Sequence, residues 1–253
     1  MRFRFLLTFA GLILWCSVLL RFSLSAQQSP HWGYTGHEGP ENWSKLDPAN
    51  APCAVGKRQS PIDIKGATAS SLTALKFDYK SVPLSIVDNG HTIQVNYAPG
   101  STLSAGGKTY DLKQFHFHHP SEEHVNGHGY DLVAHLVHAD ADGHLAVVAV
   151  LFKTGNANAL IDQIWNNVPT EKNKAADVSG TTLNVRDLLP SDLGYFTFSG
   201  SLTTPPCSED VTWFVLKSTG SLSPGQLAAF AKLYPNNARP IQPTNGREIL
   251  ETK

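Results

Sequence analysis

The chain has 253 residues and a formal net charge of −1, with 41% hydrophobic and 16% charged residues. A chain of this length and composition can bury a sizeable core, which argues against intrinsic disorder. It has no lysine and arginine cluster of the kind that follows phosphates or anionic lipid, so nucleic acid is not an expected partner.

Residues 1–26 have the pattern of a secretory signal peptide. Two arginines precede an apolar run over residues 5–20, and small residues follow that run. An uncleaved membrane anchor is the alternative, but a run of sixteen residues is short for a full span. Cleavage near Ser25 or Ala26 would remove three arginines and leave a domain over residues 27–253 with a net charge of −4.

The rest of the chain predicts mostly β-strands, in short apolar runs separated by turn signals. The segment "LSIVDNGHTIQVNY" predicts two strands around a turn at residues 88–90. The runs "LVAHLVHA", "LAVVAVLFKT" and "VTWFVLK" have the length and the β-branched composition of strands.

Two segments predict short helices. "SPGQLAAFAKLY" has Ser223 as an N-cap and Pro224 in the first turn. "NANALIDQIWNNV" places five apolar side chains on one helical face: Leu160, Ile161, Ile164, Trp165 and Val168. No internal repeat or long linker divides the chain. We therefore expect one mainly β (α+β) domain, with a large sheet and a few short peripheral helices.

The segment "QFHFHHPSEEH", residues 114–124, alternates histidine with phenylalanine. Since side chains alternate faces along a strand, His116 and His118 would share one face while the two phenylalanines enter a core. Two imidazoles spaced in this way can bind one metal ion, and catalytic zinc sites use three protein ligands. A third ligand is available in "DLVAHLVH", either His135 or His138, which lie on opposite faces of their strand. Surface or hydrogen-bonded histidines explain the same pattern equally well.

The cysteines predict a disulfide. Cys16 would leave with the signal peptide, and Cys53 and Cys207 remain. An even pair in an oxidising compartment favours a bridge, although two unconnected buried thiols are the alternative. The loop-entropy model gives about 4–5 kcal/mol for so long a loop, and measured values are commonly lower.

Eight blocks of the sequence occur in the order "HWGYTGHEGPENW" (31–43), "KRQSPIDI" (57–64), "NGHTIQV" (89–95), "QFHFHHPSEEH" (114–124), "AHLVH" (134–138), "LAVVAVLFKTG" (145–155), "SLTTPPCSEDVTWFV" (201–215) and "RPIQP" (239–243). Together they closely resemble the α-class carbonic anhydrases in their exported bacterial form. The resemblance covers nearly the whole chain after the signal segment, from about His31 to Arg247.

The resemblance implies a central, mostly antiparallel twisted sheet with an active-site cone that reaches its middle. It implies an enzyme, a zinc lyase (carbonate dehydratase) that reversibly hydrates carbon dioxide to bicarbonate and a proton. The cofactor would be Zn2+, held by His116, His118 and His135, and zinc-bound hydroxide would attack carbon dioxide. His138 would then be a structural histidine on the opposite face of its strand.

The signal segment and the resemblance together lead to an expected location and expected partners. The substrate would be a small molecule, carbon dioxide or bicarbonate. The protein would be a monomer or a homodimer, periplasmic or secreted, with no membrane contact beyond export.

Further roles around the metal follow from the resemblance. Thr203 would accept the hydroxide's hydrogen and donate its own to Glu123, while Thr204 would help to hold bicarbonate. His91 would be the proton shuttle, since an unperturbed imidazole titrates near neutrality. Gln114 is also placed to orient His116. The positions of the water network are Tyr34, Gln94 and Gln114. The apolar positions that would receive carbon dioxide are Val137, Val147, Leu202, Val211 and Trp213.

One position departs from the family's pattern. The family usually carries glutamate two residues before the third zinc histidine, where it accepts that histidine's other ring N–H. Here the position is Val133, which cannot accept a hydrogen bond. Losing such a partner typically costs about 10–100-fold in metal affinity or activity. Asp131, on the same strand face, is a candidate replacement through water, and Val133→Glu is expected to slow zinc loss.

Two other functions remain open from the sequence. A catalytically silent binding domain of the same fold would characteristically lack zinc histidines, and all three are present here. A zinc esterase would use the same hydroxide on an activated ester and should have a widened, polar mouth, which the sequence does not reveal.

Overall fold

The structure is a computed structural model that describes residues 31–253. The predicted signal peptide and its cleavage site lie outside the described residues. In the part of the chain that is described, no helix is long and apolar enough to cross a membrane.

The described residues form mostly strands, with a few short helices. The strands are β1 (Asp63–Ile64), β2 (Thr68–Ser70), β3 (Lys76–Asp78), β4 (Val82–Asp88), β5 (Ile93–Asn96), β6 (Thr102–Ala105), β7 (Lys108–His118), β8 (His124–Val125), β9 (Leu132–Ala139), β10 (Leu145–Thr154), β11 (Ala176–Leu183), β12 (Tyr195–Ser201), β13 (Glu209–Leu216), β14 (Gly220–Leu222) and β15 (Leu250–Thr252). The α-helices are α1 (Trp43–Leu46), α2 (Pro52–Val55), α3 (Ala159–Trp165) and α4 (Pro224–Leu233). Single turns of 3-10 helix cover Gly36–Glu38, Pro48–Asn50 and Val185–Leu188.

Thirteen of the described strands form one sheet. Its main path runs β11-β4-β5-β7-β9-β10-β13-β12-β15-β2, with β14 beside β10, β6 beside β7, and β3 beside β6. Most neighbours are antiparallel, whereas β10–β13, β10–β14 and β15–β2 are parallel. Strands β1 and β8 form a separate parallel pair. The prediction of a mainly β fold with a large, mostly antiparallel sheet and few helices is confirmed.

The predicted hairpin is formed by β4 and β5, and its turn presents His91. Gly90 has a φ of 83°, a conformation that glycine adopts without a steric penalty. The Asn89 side chain accepts hydrogen bonds from the backbone N–H groups of His91 and Thr92, at 3.0 and 2.9 Å. These hydrogen bonds therefore fix the position of the His91 backbone in the turn just before β5.

The sheet has a hydrophobic core on each face, as the alternation along β7 predicts. Phe115 and Phe117 are fully buried in the larger core, against which α3 and α4 also pack. The smaller core covers the opposite face and includes Val147 and Trp213. His116 and His118 lie on this second face, because they occupy the strand positions between the phenylalanines.

Helix α3 is shorter than the apolar pattern that predicted it. Its buried residues are Leu160, Ile161 and Ile164, and Trp165 packs partly against the larger core. Helix α4 begins at the predicted Ser223 cap, and Gln226 completes a reciprocal capping box with it.

Candidate active site

Three histidines lie on adjacent strands in the middle of the sheet. His116 of β7 is directly opposite His135 of β9, and His118 is opposite Val133. On the other side of β7, Gln94 of β5 is opposite His116. The three imidazole rings have centroids 4.8 to 5.5 Å apart. The register of β7 against β9 therefore brings together the three histidines that the resemblance implies as metal ligands.

His116 and His118 each use Nδ1 in a hydrogen bond to the protein. His116 Nδ1 lies 2.8 Å from Gln114 Oε1, which places Gln114 where it can orient this ring. His118 Nδ1 donates to the backbone carbonyl of Asn237 at 2.7 Å. Both rings therefore keep Nε2 free as a lone-pair donor.

His135 uses the opposite ring nitrogen, Nε2, in its hydrogen bond to the protein. Its Nε2 lies 3.0 Å from Glu123 Oε1 and 3.1 Å from Glu123 Oε2, and it donates its proton to this carboxylate. Nδ1 is then the free nitrogen. One ligand nitrogen from each of His116, His118 and His135 lies within 4.8 Å of the other two. Three free nitrogens thus converge on one small space.

Buried polar atoms in this space indicate a cation. Among the described residues, His118 Nε2 and Glu122 Oε2 are buried without a hydrogen-bond partner, and they lie 3.5 Å apart. Glu122 Oε2 is also 3.8 Å from His135 Nδ1. Leaving such groups unpaired costs about 1–3 kcal/mol each, so native proteins rarely do it. Three imidazole nitrogens are a donor set that suits Zn2+, and the residues fit that ion.

Burial keeps two of the imidazoles neutral. Desolvation lowers the pKa of His116 to about 3, with His135 adding to the effect. Desolvation also lowers the pKa of His118, with His135 and His116 adding to it. The neutral ring is the form that binds metal. Burial would lower the pKa of His135 as well, but the Glu123 carboxylate raises it.

The structure places Glu123, expected beside Thr203, against His135 instead. The carboxyl beside Thr203 is that of Glu122. Burial raises its pKa to about 7 and the Glu123 charge adds to this, while contacts to His135, the Arg239 N–H and the Thr203 hydroxyl act to lower it. Arg239 N donates to Glu122 Oε1 at 2.8 Å. Glu122 Oε2 accepts no hydrogen bond from the described residues. In the irregular segment after β7, the two adjacent carboxyls contact different neighbours.

The loop that carries Thr203 is tied to the N-terminal part of the fold. Cys207 N donates to the carbonyl of Thr204 at 2.9 Å, which closes the turn between β12 and β13. Cys207 is disulfide-bonded to Cys53 at α2, so the predicted bridge is confirmed. Gln59 adds a hydrogen bond of 3.0 Å to the Cys207 carbonyl.

The apolar positions expected to receive carbon dioxide lie together beside the histidines. Val147 is opposite Val137 on one side and Trp213 on the other. The Trp213 ring lies edge-on to His135, with centroids 4.9 Å apart. All the expected positions belong to, or pack against, the smaller core: Val137, Val147, Leu202, Val211 and Trp213.

A cavity of about 130 Å3 leads to the histidines. The expected polar positions share its wall with His116 and His118: Tyr34, His91, Gln94, Gln114 and Thr204. Within it, Gln94 Nε2 donates to Asn96 at 2.7 Å. Burial raises the pKa of Tyr34, so its hydroxyl stays protonated.

His91 lies at this cavity with its ring stacked on an indole. The His91 and Trp32 ring centroids are 3.7 Å apart and the rings are nearly parallel, at 5°. His31 stacks at 5.5 Å. Burial lowers the pKa of His91, and the charges of His31 and Lys172 add to this effect. At pH 7 the ring is therefore mainly neutral and able to accept a proton.

Residues 38–253 match the family model described as eukaryotic-type carbonic anhydrase. The chain belongs to the α-class, or eukaryotic-type, carbonic anhydrase family. It is 44% identical over 230 residues to a carbonic anhydrase of Pectobacterium carotovorum, covering 90% of this chain and 94% of that protein.

Solved carbonic anhydrase structures share the fold. A hyperthermostable carbonic anhydrase from an active hydrothermal vent chimney aligns with a TM-score of 0.86 and 46% identity, covering 88% of this chain and all 100% of that one. The α-carbonic anhydrase of Thermovibrio ammonificans, solved with the inhibitor sulfanilamide, aligns with a TM-score of 0.84 and 40% identity, covering 89% and 100%. The chain is therefore an enzyme of the carbonic anhydrase class.

Sequence reasoning missed Asn237, which supports the carbonic anhydrase site from the C-terminal part of the chain. Besides accepting from His118, Asn237 accepts through Oδ1 from His119 N at 2.8 Å. Its Nδ2 donates to the carbonyls of His91 and Phe117, both at 3.0 Å. These partners are more than a hundred residues away, and no local pattern in "PNNARP" indicates them.

His138 lies away from the site, on the opposite face of β9. It is buried, with Nε2 2.7 Å from the Tyr79 hydroxyl and Nδ1 3.3 Å from the Ala146 carbonyl. Desolvation lowers its pKa to about 4.

A second cluster of possible ligands, Asp140, Asp142 and His144, lies in the turn between β9 and β10. Hydrogen bonds within that turn, all to Asp140, account for its arrangement.

Proposed function

We propose that this chain catalyses the reversible hydration of carbon dioxide with a zinc ion held by His116, His118 and His135. The observation that carries the proposal is the convergence of three free imidazole nitrogens, within 4.8 Å of one another, at the end of a cavity. The two unpaired buried atoms beside them, His118 Nε2 and Glu122 Oε2, support a cation in that space.

Bound zinc would supply a Lewis acid that lowers the pKa of a coordinated water to about 7, the value known for carbonic anhydrase. The chain's own part is to keep the imidazoles neutral and oriented. Gln114, the Asn237 carbonyl and Glu123 each hold the ring nitrogen that faces away from the metal. Such partners fix the tautomer and the direction of the lone pair.

Thr203 and Glu122 would orient the attacking oxygen. When the Thr203 hydroxyl donates its proton to the Glu122 carboxylate, its oxygen lone pair is left to accept a hydrogen bond from the nucleophile. That arrangement directs the nucleophile's own lone pair toward the substrate. The Arg239 N–H on Glu122 Oε1 supports it by holding the carboxyl in place.

Carbon dioxide would bind against the apolar wall beside the histidines. This substrate offers only weak hydrogen-bonding groups, so an apolar surface is the appropriate site for it. Val147 and Trp213 are almost fully buried there. Thr204, at the polar side of the cavity, would help to hold bicarbonate before it leaves.

His91 would carry the released proton to solvent. It lines the same cavity as His116 and Gln94, so a chain of water molecules between them is a short path. Its lowered pKa favours release of the proton to buffer once the ring has accepted it.

We also propose that the protein is exported and acts in the periplasm or outside the cell. The Cys53–Cys207 disulfide supports this location, because disulfides persist in oxidising compartments. The substrate would be carbon dioxide or bicarbonate alone, and sulfanilamide, bound by the Thermovibrio relative, is an expected inhibitor.

Stopped-flow hydration of carbon dioxide tests the metal dependence. The purified protein should contain one zinc per chain and should lose activity when a chelator removes it. Added zinc should restore both together. Full activity in zinc-free protein would exclude the proposal.

His91→Ala tests the shuttle in the same assay. Turnover should fall at low buffer concentration, while a step measured without net proton export, such as isotope exchange between carbon dioxide and bicarbonate, should change little. Imidazole in the buffer should restore much of the loss. Equal losses in all buffers, without rescue, would show that the proton leaves by another route.

A further inference from the structure

This chain lacks, on β9, the glutamate that in this family usually accepts a hydrogen bond from the third zinc histidine, here His135. Val133 occupies that position and is fully buried among apolar side chains of the smaller core. The nearest acidic residue on the same strand face, Asp131, is engaged elsewhere: its carboxylate accepts from Thr154 N at 2.6 Å and from Thr154 Oγ1 at 2.7 Å.

The far nitrogen of His135 nevertheless has a carboxylate partner. Both oxygens of Glu123 lie within 3.1 Å of His135 Nε2. The Glu123 side chain is fully buried, and among the described residues it makes no other hydrogen bond or ion pair. Its carboxylate is therefore committed to this one ring.

We propose that Glu123 is the positioning residue of His135, supplying from the segment after β7 the acceptor that Val133 cannot supply from β9. The inference rests on the proposed zinc function and adds a residue to it. Glu123 does not contact the reacting atoms; it acts through His135.

The backbone around Glu123 is built to hold the carboxylate there. Ser121 Oγ donates to the Glu123 carbonyl at 2.9 Å and itself accepts from Tyr130 N at 2.8 Å. The following residue, His124, donates its N–H to the carbonyl of Ile62 at 3.3 Å. Hydrogen bonds on both sides of Glu123 thus limit where its side chain can reach.

The buried negative charge of Glu123 favours a metal ion on the opposite side of the His135 ring, at Nδ1. No lysine or arginine of the described chain forms an ion pair with either Glu122 or Glu123. Arg239 interacts with the charge of Glu122, but Glu123 has no such cation nearby in the described part of the chain. A buried carboxylate is costly without a positive partner, and a dication bound to His135 Nδ1 would offset that cost. The carboxylate in turn makes the imidazole a stronger donor, and in the neutral ring it holds the single proton on Nε2 and leaves Nδ1 free.

Zinc dissociation into excess chelator tests the inference without using activity. Glu123→Gln keeps the shape and one acceptor oxygen but removes the charge, and it should release zinc faster than the parent. Glu123→Ala removes the acceptor altogether. Its off-rate should rise by about 10–100-fold, the range for such partners. Circular dichroism and thermal unfolding of each variant would show that the fold is retained.

Two further variants separate positioning from packing. Asp131→Asn removes the other carboxylate near this strand face and should leave the zinc off-rate at the parent value. The double variant Glu123→Ala with Val133→Glu restores a carboxylate from the strand and should release zinc more slowly than Glu123→Ala alone. A purely structural role for Glu123 would not be rescued from another position.

The outcomes distinguish this inference from the proposed function. A parent protein that binds no zinc would overturn both. A parent with one zinc per chain, together with a Glu123→Gln off-rate equal to that of the parent in a folded protein, would overturn only the role of Glu123. The expectation from the sequence that Val133→Glu slows zinc loss no longer holds for the chain with Glu123 intact. Its zinc release should be no slower than that of the parent, because Glu123 already accepts the single proton of His135 Nε2.

Discussion

Two adjacent glutamates, both buried, contact opposite sides of the histidine cluster. Glu122 faces Thr203 and the free nitrogens of His118 and His135, whereas Glu123 faces the far nitrogen of His135. In a strand, the face of each residue follows from its place in the alternation. The segment after β7 is irregular, so the sequence alone could not tell which of the two carboxyls would reach Thr203.

Glu122→Gln is expected to damage catalysis more than metal retention. Without the carboxylate, the Thr203 hydroxyl loses its directional acceptor, and kcat should fall by about 100-fold or more. Zinc release into chelator should change much less than in Glu123→Gln. The measurements are stopped-flow hydration and zinc off-rate on the two variants side by side.

Thr203→Ala provides the matching control for Glu122→Gln. If the two residues act as one unit, the double variant should be little worse than either single variant. The pairing of Glu122 with Thr203 would be contradicted if the kcat loss of the double variant equalled the product of the two single losses. A larger kcat loss in Glu123→Gln than in Glu122→Gln would also contradict it.

The sequence did contain a signal for the role of Glu123. Val133 stands where an acceptor is expected, and the chain carries two adjacent glutamates, Glu122 and Glu123, where one would be enough to contact Thr203. Together these two features suggest that Glu123, rather than a residue at position 133, accepts the hydrogen bond of His135. Only the three-dimensional structure shows that the segment after β7 brings Glu123 within hydrogen-bond distance of His135.

At the scale of single elements, β9 carries histidines with opposite environments. His135 faces the site, while His138 is buried against Tyr79 of the larger core. Their separation of three residues places them on opposite faces, so the strand pattern predicted this difference without further information. The same period-2 pattern predicted the faces of β7.

His138 should make folding stability depend on acid. Its folded pKa of about 4 lies below the unfolded value of about 6.5. The unfolded chain therefore binds more protons between these values, and stability present above pH 6.5 is lost as the pH falls. The expected loss from this residue between pH 7.5 and pH 5 is about 2 kcal/mol.

Urea unfolding of zinc-free protein at the two pH values measures this dependence. His138→Gln, which keeps a neutral donor and acceptor, should lose about 2 kcal/mol less than the parent on acidification. The three histidines of the candidate site titrate in both proteins, so their contributions cancel in the comparison. The same acid-induced loss in parent and variant would show that His138 is not responsible.

Element lengths were predicted less well than element types. The five apolar positions in "NANALIDQIWNNV" describe one face, but α3 ends at Trp165 and Val168 packs from the loop beyond it. The apolar spacing continues past the helix because the following loop also covers the core. Periodicity alone cannot separate these two cases.

At the scale of the whole molecule, the Cys53–Cys207 bridge joins segments separated by 154 residues. The loop-entropy model gives about 5 kcal/mol for such a loop, and measured effects are commonly about 2–4 kcal/mol. Reduction should lower the melting temperature by roughly 5–15 °C. Scanning calorimetry with and without reductant is the measurement.

The double variant Cys53→Ala with Cys207→Ala controls for other effects of the reductant. It should melt near the temperature of the reduced parent and should not respond to reductant. Two free thiols in the parent before reduction would show that the disulfide does not form. An unchanged melting temperature on reduction would show that it does not stabilise the fold.

Long-range contacts mark the limit of what the sequence could predict for this molecule. Asn237 and Arg239 reach the site from the C-terminal part of the chain, and their partners are over a hundred residues away. Strand alternation and the ordered motifs predicted the sheet and the three histidines. The hydrogen bonds that orient those histidines depend on how distant loops pack, which no local pattern describes.

Anomalous diffraction at the zinc edge, on crystals of the zinc-loaded protein, would show directly whether the three strand histidines bind the metal. We expect one strong peak per chain, bounded by His116 Nε2, His118 Nε2 and His135 Nδ1. A peak only at the turn of Asp140, Asp142 and His144, or no peak between the three strand histidines, would contradict it.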